Sequence, residues 1–582
     1  MTRRQRLTRN RLRACLAIVC LVFAIFGLRL FQIQGIDAQA YASMAVNAGT
    51  TKVSVPAPRG NITDRNGVEL AGSTDGLTLT ADPSMTAPNA PRIARILVET
   101  LGNRIDYFDT VAKLRTPKSR FVYLARQVPK WTANKAVDKI VAAGFPGVFG
   151  LKESLRTYPG GTLAANLLGY LNGSGTGVAG LEQEYNKLLT GKDGSSTYET
   201  SPTGQRIPMA DSTVTQMVPG SNVVATIDRD LQWYADQRLA DAVRASGSDW
   251  GLAITMDVRT GQIVQTSQVP TFNPDKKTGM NDYNTVSRSL QTVFEPGSVQ
   301  KTVTMAALAD QGKIGPDTKI VVPSKLVIDN YPISDYWTHG TLRLTAAGVI
   351  AKSSNLGTIV ASQQMSDQTM HDYLTRFGFG SRTGIGLPGE SAGILAPAKS
   401  WTKANHATIA FGQGISVNAL QMVRAVGAIA NGGVMVEPSV VSGFTSPDGK
   451  KTSNAAGNQR RVVSAKAAAA VTRMMEAVTA PDGTAPAAAI DGYRVAGKTG
   501  TAWRVNPVTG RYVRGQNTVS FIGFAPADNP RFLTYIVLDN PFANAGGGST
   551  AGPVFHDIMS MALERFGVAP TGSKNPRVAQ TW

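Results

Sequence analysis

The sequence predicts an α+β protein whose main domain contains a mostly antiparallel five-stranded sheet flanked by helices. Apolar runs of β type occur at both ends of residues 221–567, and helical segments lie between them. A turn-rich, mixed stretch at residues 34–220 precedes that domain and predicts an elongated pedestal. An uncharged apolar run behind a basic N-terminus predicts a membrane anchor. The 582 residues have room for these parts, since the chain is too long for one domain.

The N-terminal segment divides into a basic tail, residues 1–13, and a transmembrane anchor, residues 14–33. The apolar run is long for the core of a signal peptide and short for a full membrane span. We expect an uncleaved single-pass anchor, with a cleaved signal peptide as the alternative. The arginines before the run predict a cytoplasmic N-terminus and an extracytoplasmic location for the rest of the chain. The only cysteines, Cys15 and Cys20, lie inside the run, so no disulfide is predicted.

The formal charge of +19 favours an anionic surface as a neighbour rather than a nucleic acid. Six of the positive charges are arginines within the first thirteen residues, and the remaining +13 is spread over the rest of the chain. Because no basic stripe with interleaved aromatic residues is present, we expect no nucleic-acid binding. A diffuse positive field of this kind fits a cell wall or a membrane surface.

Local patterns then predict the elements of each part. In the pedestal they predict a strand over 51–55, a helix over 133–143 and turns over 59–67, with no residues at catalytic spacing. We therefore expect the pedestal to be a spacer. Five apolar runs predict the strands of the main-domain sheet: 252–258, 262–266, 498–503, 519–525 and 532–538. Helices are predicted over 228–242, 298–308, 419–430 and 554–566, and a flexible tail over 568–582.

Three short motifs follow one another in the main domain: Ser298-Val-Gln-Lys301, Ser353-Ser-Asn355 and Lys498-Thr-Gly500. A serine and a lysine three residues apart share one helix face, so the first motif predicts a hydroxyl beside an amine. Each pattern has a second copy, at 400–403, 416–418 and 277–279. Context favours the first set, because Ser298 follows Pro-Gly and opens an apolar helix, whereas Ser400 leads into no comparable helix.

The requirements of acyl transfer predict the catalytic roles. Ser298 needs a base, and Lys301 can serve as that base only when its pKa is lowered. A second cation at Lys498 would lower that pKa by like-charge repulsion, and partial burial would add to the effect. Ser353 is the expected proton relay between the two lysines and the leaving amine.

The remaining motif residues are expected to bind substrate. Asn355 is the expected partner of a substrate amide or of the base. Lys498, Thr499, Gly500 and Thr501 form the expected binding wall, where the threonine hydroxyls face a substrate carboxylate. The N–H groups of Ser298 and Thr501 are expected to form the oxyanion hole.

No metal or cofactor is expected. The four histidines, His339, His371, His406 and His556, lack metal-ligand spacing, and no Cys/His/Asp/Glu cluster is present in the sequence. A Ser-His-Asp triad stays open on chain order alone, although no Gly-x-Ser-x-Gly elbow occurs. Trp503 lies close to Lys498 and is a candidate for the lining of the site.

With these motifs in this order behind an anchor, the chain resembles the class B penicillin-binding proteins, the monofunctional D,D-transpeptidases of peptidoglycan synthesis. Further motifs extend the resemblance over nearly the whole chain: residues 59–67, Arg156-Thr-Tyr-Pro-Gly160, Gly180-Leu-Glu182, Thr226-Ile-Asp228, Phe411-Gly-Gln-Gly414 and Phe521-Ile-Gly-Phe-Ala525. The resemblance implies the penicillin-binding serine-acyltransferase fold and a dimerisation-type pedestal. Within the class, the chain is more similar to the division-type FtsI-like proteins than to the elongation type.

The resemblance also implies the reaction. Ser298 would be acylated by the D-Ala-D-Ala end of a stem peptide, and the amine of a neighbouring stem would then complete the cross-link. β-Lactams would acylate the same serine and stay. Lys301 would be the base, Ser353 the relay, and Lys498 with the two threonines the carboxylate clamp. The expected partners are peptidoglycan stem peptides on a lipid-linked precursor, an FtsW-type membrane glycosyltransferase and other division proteins.

Two other functions stay open at this point. The first is a hydrolase of the same fold, a D,D-carboxypeptidase or a β-lactamase. Chain length, anchor and pedestal stand against it, and no deacylating glutamate of the class A lactamase type is identifiable. The second is a non-catalytic sensor or scaffold that only binds β-lactams.

Overall fold

The computed structural model describes residues 3–37, 39, 50–199, 212–454, 457–506, 509–574 and 576–582. Its first helix, Arg3–Phe31, continues into a π-helical turn, Gln32–Ile36. The stretch Arg9–Ile36 is long and apolar enough to cross a membrane, and none of its apolar window is buried within the protein. In length and composition this helix agrees with the predicted anchor.

One part of the pedestal is a three-stranded antiparallel arrangement with helices on one face. The strand Glu69–Ala81 lies in the middle, between Val122–Pro129 and Val148–Thr157. Leu79, Leu97 and Ile140 belong to a small core of its own, separate from that of the main domain. Its helices are Pro83–Thr86, Ala90–Leu101, Tyr107–Leu114 and Lys130–Ala142, the last of which matches the helix predicted over 133–143.

The same sheet continues from the pedestal into the main domain. Ile62–Thr63 pairs with Glu69–Ala81 on one side and runs parallel to Asn222–Ala225 on the other. Asn222–Ala225 then pairs with Val441–Thr445, far along the main-domain sequence. The predicted boundary at 220/221 thus lies just before a strand that both parts share. Lys451–Ser453 forms the far edge, and a separate sheet consists of Thr50–Val55, Gly194–Glu199 and Ser212–Thr215.

A buried ion cluster, which we call the arginine cluster, consists of Arg59, Arg156 and Glu182. Glu182 accepts a hydrogen bond from Arg59 Nε at 2.7 Å and one from Arg156 Nε at 2.6 Å. Arg156 also donates to the carbonyl of Gly60 at 2.8 Å, and Tyr158 donates to the shared carboxylate at 3.3 Å. The cluster therefore holds three separate pedestal segments together. The short helices beside it are Ala165–Leu168, Gly180–Glu184 and Asn186–Leu189.

The main domain is built on a five-stranded antiparallel sheet, as the sequence predicts. Its strands follow the order Ile263–Val269, Trp250–Asp257, Phe532–Asp539, Tyr512–Ala525 and Ala496–Val505. Each strand overlaps the apolar run that predicts it, although Tyr512–Ala525 begins well before 519. Trp250–Asp257 and Phe532–Asp539 are buried at every residue, which is typical of strands covered on both faces.

Helices cover this sheet. Arg229–Ser246 begins at Asp228, whose side chain accepts from the N–H groups of Asp230 and Leu231, and Ala419–Ala430 is buried at every residue. The other main-domain α-helices of more than four residues are Lys301–Asp310, Ala346–Ala351, Asn355–Ser362, Asp367–Arg376, Lys403–Ala410, Ala465–Glu476 and Gly552–Arg565. Three short strand pairs lie outside the two large sheets: Lys319–Val322 with Leu342–Thr345, Leu326–Ile328 with Tyr331–Ile333, and Val434–Val436 with Gln459–Arg461.

Residues 568–574 and 576–582 lie against the main domain, which differs from the flexible tail that the sequence predicts over 568–582. Val568 accepts a hydrogen bond from Tyr493, and the hydroxyl groups of Thr571 and Ser573 donate to Asp528. Thr581 then forms an antiparallel bridge with Leu344. The polar composition of the segment predicts solvent exposure, but its hydroxyl groups form hydrogen bonds with the main domain instead.

Candidate active site

The turn before the candidate nucleophile is held by close backbone contacts. Gly297 has φ +53°, and a Cβ at this position would lie 2.5 Å from the carbonyl oxygen of Thr501. Its N–H donates to Gly412 at 3.0 Å. Only glycine fits such a left-handed conformation so near another backbone without strain. The turn therefore brings Ser298, the next residue, against the edge strand Ala496–Val505 beside Thr501.

Ser298 lies in a 3₁₀ turn, and Lys301 lies in the α-helix that follows it. Gly297–Gln300 is a 3₁₀ turn, and the α-helix Lys301–Asp310 begins only at the lysine, whereas the sequence predicts one helix over 298–308. Ser298 is partly exposed, and Lys301 has no accessible surface. In the described part of the chain, Ser298 Oγ makes no hydrogen bond, so the predicted contact between this hydroxyl and the amine is absent from this structure.

The amine of Lys301 instead donates to two acceptors in the second motif. Lys301 Nζ lies 2.6 Å from the carbonyl oxygen of Ser353 and 2.7 Å from Asn355 Oδ1, with Ser353 Oγ farther away at 3.4 Å. Carbonyl and amide oxygens only accept, so a neutral amine would direct both of its N–H groups there and keep its lone pair free. Burial lowers the pKa of Lys301 to about 7, against an opposing effect of Asp335.

Ser353 joins the two lysines. Its φ of +57° is left-handed, which is unusual for a residue with a side chain. Ser353 Oγ accepts from Lys498 Nζ at 2.8 Å, while the carbonyl of the same residue accepts from Lys301. The strained backbone therefore presents the hydroxyl to one amine and the carbonyl to the other.

Lys498 is buried as completely as Lys301. Besides Ser353, its amine contacts the carbonyl of Thr499 at 3.0 Å and Thr499 Oγ1 at 3.3 Å. Burial, and then the positive charge of Lys301, hold the pKa of Lys498 well below its ordinary value. The sequence predicts that like-charge repulsion lowers the pKa of Lys301, but burial is the main cause for both lysines and the repulsion acts on Lys498.

The rest of the third motif forms one wall of the site. Thr499 Oγ1 lies 3.3 Å from Thr484 Oγ1, and Thr501 is exposed at the edge of the sheet. Gly500 packs so closely that a Cβ there would come within 2.2 Å of Ser520 Oγ and 3.0 Å of Val299. A larger residue at 500 would thus push the strand away from the nucleophile turn.

Two carboxylates support the site, and the sequence assigned a role to neither. Asp335 accepts from Ser354 Oγ at 2.6 Å and from the N–H of Asn355 at 2.5 Å, and His339 Nε2 lies 3.0 Å from the same side chain. It thereby fixes the start of the helix that presents Asn355. No pattern around Asp335 indicates this, because the contact joins residues from different elements.

The second is Glu295, which precedes the nucleophile turn. It accepts from the N–H of Gly414 at 2.8 Å and from the hydroxyl of Tyr512 at 2.9 Å, and burial raises its pKa. Trp503, a candidate for the lining of the site, is exposed and packs edge-on against Tyr512 with ring centroids 5.6 Å apart. Glu295 thus joins the nucleophile turn to the end of the strand Tyr512–Ala525.

The second copies of the motifs do not gather into a comparable site. Ser400 is exposed, and its hydroxyl donates to the carbonyl of Pro397 at 2.7 Å. Lys277 is exposed in a loop with φ +53°. Among the residues that the structure describes, no group of three or more His, Cys, Asp or Glu side chains is arranged to hold a metal ion.

Comparison with known proteins assigns the family. The model of the penicillin-binding protein transpeptidase domain matches residues 251–560, and that of the penicillin-binding protein dimerisation domain matches residues 54–225. The chain belongs to the class B penicillin-binding proteins. The resemblance found in the motifs, the fold class and the dimerisation-type pedestal are thereby confirmed.

Relatives of this penicillin-binding protein match it along most of their length. It is 36% identical to penicillin-binding protein PbpB of Mycobacterium tuberculosis, over 96% of this chain and 85% of the relative. It is 32% identical to the peptidoglycan D,D-transpeptidase FtsI of Escherichia coli, over 90% and 86%. The crystal structure of penicillin-binding protein 3 from Mycobacterium tuberculosis, complexed with ampicillin, superposes with a TM-score of 0.71 at 32% identity, covering 91% of this chain and 100% of that one.

Proposed function

We propose that this protein is a peptidoglycan D,D-transpeptidase that cross-links stem peptides through an acyl-enzyme on Ser298. The observation that supports it most is the meeting of two fully buried amines, those of Lys301 and Lys498, at Ser353 beside the nucleophile turn. A buried amine whose pKa is near 7 can act as a base at neutral pH. The name of the Escherichia coli relative, a peptidoglycan D,D-transpeptidase, supports the same reaction.

In the first half-reaction, Ser298 Oγ attacks the carbonyl carbon of the penultimate D-alanine. The neutral amine of Lys301 takes the hydroxyl proton, since its N–H groups are engaged by Ser353 and Asn355 and its lone pair is free. As the peptide bond breaks, the proton passes by way of Ser353 Oγ to the leaving amine of the terminal D-alanine. The N–H groups of Ser298 and Thr501 stabilise the oxyanion, a role supported by the close approach of Gly297 to the Thr501 backbone.

In the second half-reaction, the amine of a neighbouring stem peptide attacks the ester carbonyl. The new amide bond forms as the ester bond to Ser298 Oγ breaks, and the proton that the amine loses returns to Ser298 Oγ. Lys498, Thr499 and Thr501 bind the terminal carboxylate of the donor, for which the buried amine and the threonine hydroxyls are suited. A β-lactam acylates the same serine. This is supported by the relative of known structure that is described as complexed with ampicillin.

The cellular setting is part of the proposal. The N-terminal helix anchors the chain with its basic end in the cytoplasm, because arginines favour that side, and the catalytic domain lies outside. The similarity to FtsI supports a role in septal wall synthesis during division. An FtsW-type membrane glycosyltransferase is the proposed partner, since it would supply the lipid-linked glycan chains whose stem peptides are joined.

Labelling with a fluorescent penicillin tests the site assignment. Ser298→Ala should abolish labelling of the full-length protein, whereas Ser400→Ala, at the other Ser-x-x-Lys, should leave it intact. Mass spectrometry of the adduct should locate it on Ser298. Labelling that persists in Ser298→Ala and disappears in Ser400→Ala would contradict the assignment.

A reaction with lipid-linked precursor separates the proposed function from its alternatives. A transpeptidase forms cross-linked dimers. A carboxypeptidase forms only trimmed monomers, and a lactamase forms only opened β-lactam. A sensor forms none of these products. Predominance of trimmed monomer, in the presence of the glycosyltransferase partner, would contradict the proposed function.

A further inference from the structure

Residues 576–582, which we call the C-terminal strap, lie along the strand Leu342–Thr345, which pairs with Lys319–Val322. The N–H of Thr345 donates to the carbonyl of Gln580 at 3.0 Å, and Trp582 Nε1 donates to the carbonyl of Leu344 at 3.1 Å. Thr581 pairs with Leu344 in an antiparallel bridge. Backbone hydrogen bonds and the indole N–H of Trp582 therefore both hold the strap on this strand.

The indole ring of Trp582 is held by two cations on that edge. Lys319 Nζ lies 4.8 Å and the Arg343 guanidinium carbon 5.3 Å from the ring centroid. Distances below about 6 Å give a favourable cation–π interaction. These contacts fix the end of the strap on the strand that leads to Thr345.

Thr345 connects the strap to a helix that ends at the active site. Its hydroxyl donates to the carbonyl of Ala579 at 2.6 Å and accepts the N–H of Gly348 at 2.9 Å, capping the helix Ala346–Ala351. A Cβ at Gly348 would lie 1.9 Å from the carbonyl oxygen of Gln580, so the strap and the helix are in direct contact.

The other end of this helix presents Ser353. The N–H groups of Ser353 and Ser354 donate to the carbonyls of Ile350 and Val349, at 3.1 and 2.9 Å. A helix of six residues is about 9 Å long, so only this short helix separates the strap from the residue that contacts both lysines. Any tilt of the helix at Thr345 would therefore move the hydroxyl of Ser353.

We propose that the C-terminal strap positions Ser353 between Lys301 and Lys498, and that Trp582 is a positioning residue for acylation. This inference rests on the proposed function, because it gives the strap a part in the proton transfer. The strap touches neither lysine. Its removal should slow the chemical step and leave the binding of the β-lactam unchanged.

The test measures acylation of the detergent-solubilised full chain by a fluorescent penicillin, separated into binding and the first-order acylation rate. Deleting residues 576–582 should lower that rate by about tenfold, since a misplacement of about 1 Å can cost up to about 100-fold. Trp582→Ala should lower it by about threefold. The pH profile of the rate should also shift, because the hydrogen bond from Lys498 to Ser353 Oγ is disturbed.

Trp131→Ala is the matched control. Trp131 is also an exposed indole beside a lysine, with Lys135 Nζ 4.9 Å from its ring centroid, but it lies on the pedestal. Its replacement should leave the acylation rate unchanged. Equal losses of acylation rate in Trp131→Ala and Trp582→Ala would overturn the proposal. So would an unchanged acylation rate in the deletion variant, measured at a temperature where that variant is folded.

Two further measurements keep the inference testable on its own. If the deletion variant does not fold, Thr345→Ser should retain the rate and Thr345→Val should lose it, because the hydroxyl both donates to Ala579 in the strap and caps the helix at Gly348. Hydrogen exchange over residues 346–354 needs no acylation, and unchanged protection after strap deletion or in Trp582→Ala would contradict the proposal. Absence of a Ser298 adduct in the intact chain would instead contradict the proposed function.

Discussion

Two pairs of buried cations, Lys301 with Lys498 and Arg59 with Arg156, have opposite surroundings. Both arginines bond directly to one buried carboxylate, that of Glu182. The lysines bond to the neutral oxygens of Ser353, Asn355 and Thr499. Asp335 is the carboxylate that acts on Lys301, and it does so without an ion pair to that amine in the described part of the chain.

This difference shows how the protein separates stability from reactivity. Burial lowers the pKa of Arg59, but Glu182 opposes the effect and arginine stays protonated at neutral pH. Burial without a bonded carboxylate makes a lysine easy to deprotonate. The paired cations therefore hold segments of the pedestal together, and the unpaired ones can exchange protons.

The strongest test of this comparison is Lys301→Met. Loss of a general base should reduce the acylation rate by about 1,000-fold or more, while a methionine of similar volume removes a buried amine that has no bonded carboxylate. The melting temperature should therefore stay unchanged or rise. Stopped-flow labelling and thermal unfolding measure the two effects, and a variant that loses both activity and several degrees of stability would show that this lysine is structural.

The converse test is Glu182→Gln, which leaves two buried arginines without their carboxylate. The free energy of unfolding should fall by about 3–5 kcal/mol, and the acylation rate of the folded protein should stay within about twofold. Chemical denaturation followed by tryptophan fluorescence measures the loss.

Asp75→Asn is the control for this variant, because Asp75 pairs with Lys130 at 3.1 Å on the surface. Exposed ion pairs contribute below about 1 kcal/mol, so its effect should be small. Equal losses in the two variants would mean that burial does not distinguish the arginine cluster from a surface pair.

The smallest effect expected is the pH dependence of acylation. If Lys301 is the base, as we propose, its reactive form is neutral; because its pKa is about 7, the rate should be half-maximal near pH 7. Below that value it should fall about tenfold per pH unit, as the lone pair becomes protonated. Rates measured from pH 5 to 9 test this, and a profile that is flat down to pH 5 would remove Lys301 as the titrating base.

Much of the fold follows from local patterns. Apolar runs such as 252–258 and 532–538 predict the central strands because a buried strand must be apolar on both faces. The order of the three motifs, with Pro-Gly before Ser298, also selects the residues that meet in space. Only the surrounding sequence distinguishes the second Ser-x-x-Lys copy, at Ser400, from the one at Ser298.

What local patterns do not predict are contacts between distant segments. Asp335, in a loop, accepts a hydrogen bond from Asn355, and Glu182 accepts hydrogen bonds from arginines in two other segments. The spacing of these residues in the sequence does not indicate that they pair. The docking of residues 576–582 depends on contacts of Trp582 and the strap backbone with Thr345 and its neighbours, which lie far away in the sequence, so that no local spacing indicates them. The pKa of Lys301 is lowered mainly by burial, and the Ser-x-x-Lys motif alone does not indicate how deeply the lysine is buried.

The left-handed backbone of Ser353 also limits how the site can change under selection by antibiotics. Glycine or asparagine would relieve a conformation that costs a side-chain-bearing residue about 1–2 kcal/mol, but each would remove the hydroxyl that Lys498 binds. Threonine would keep the hydroxyl, yet its branched carbon makes that backbone still less accessible. Few substitutions of Ser353 would therefore keep the site active. Antibiotic resistance that preserves wall synthesis has to arise from other residues around the cleft.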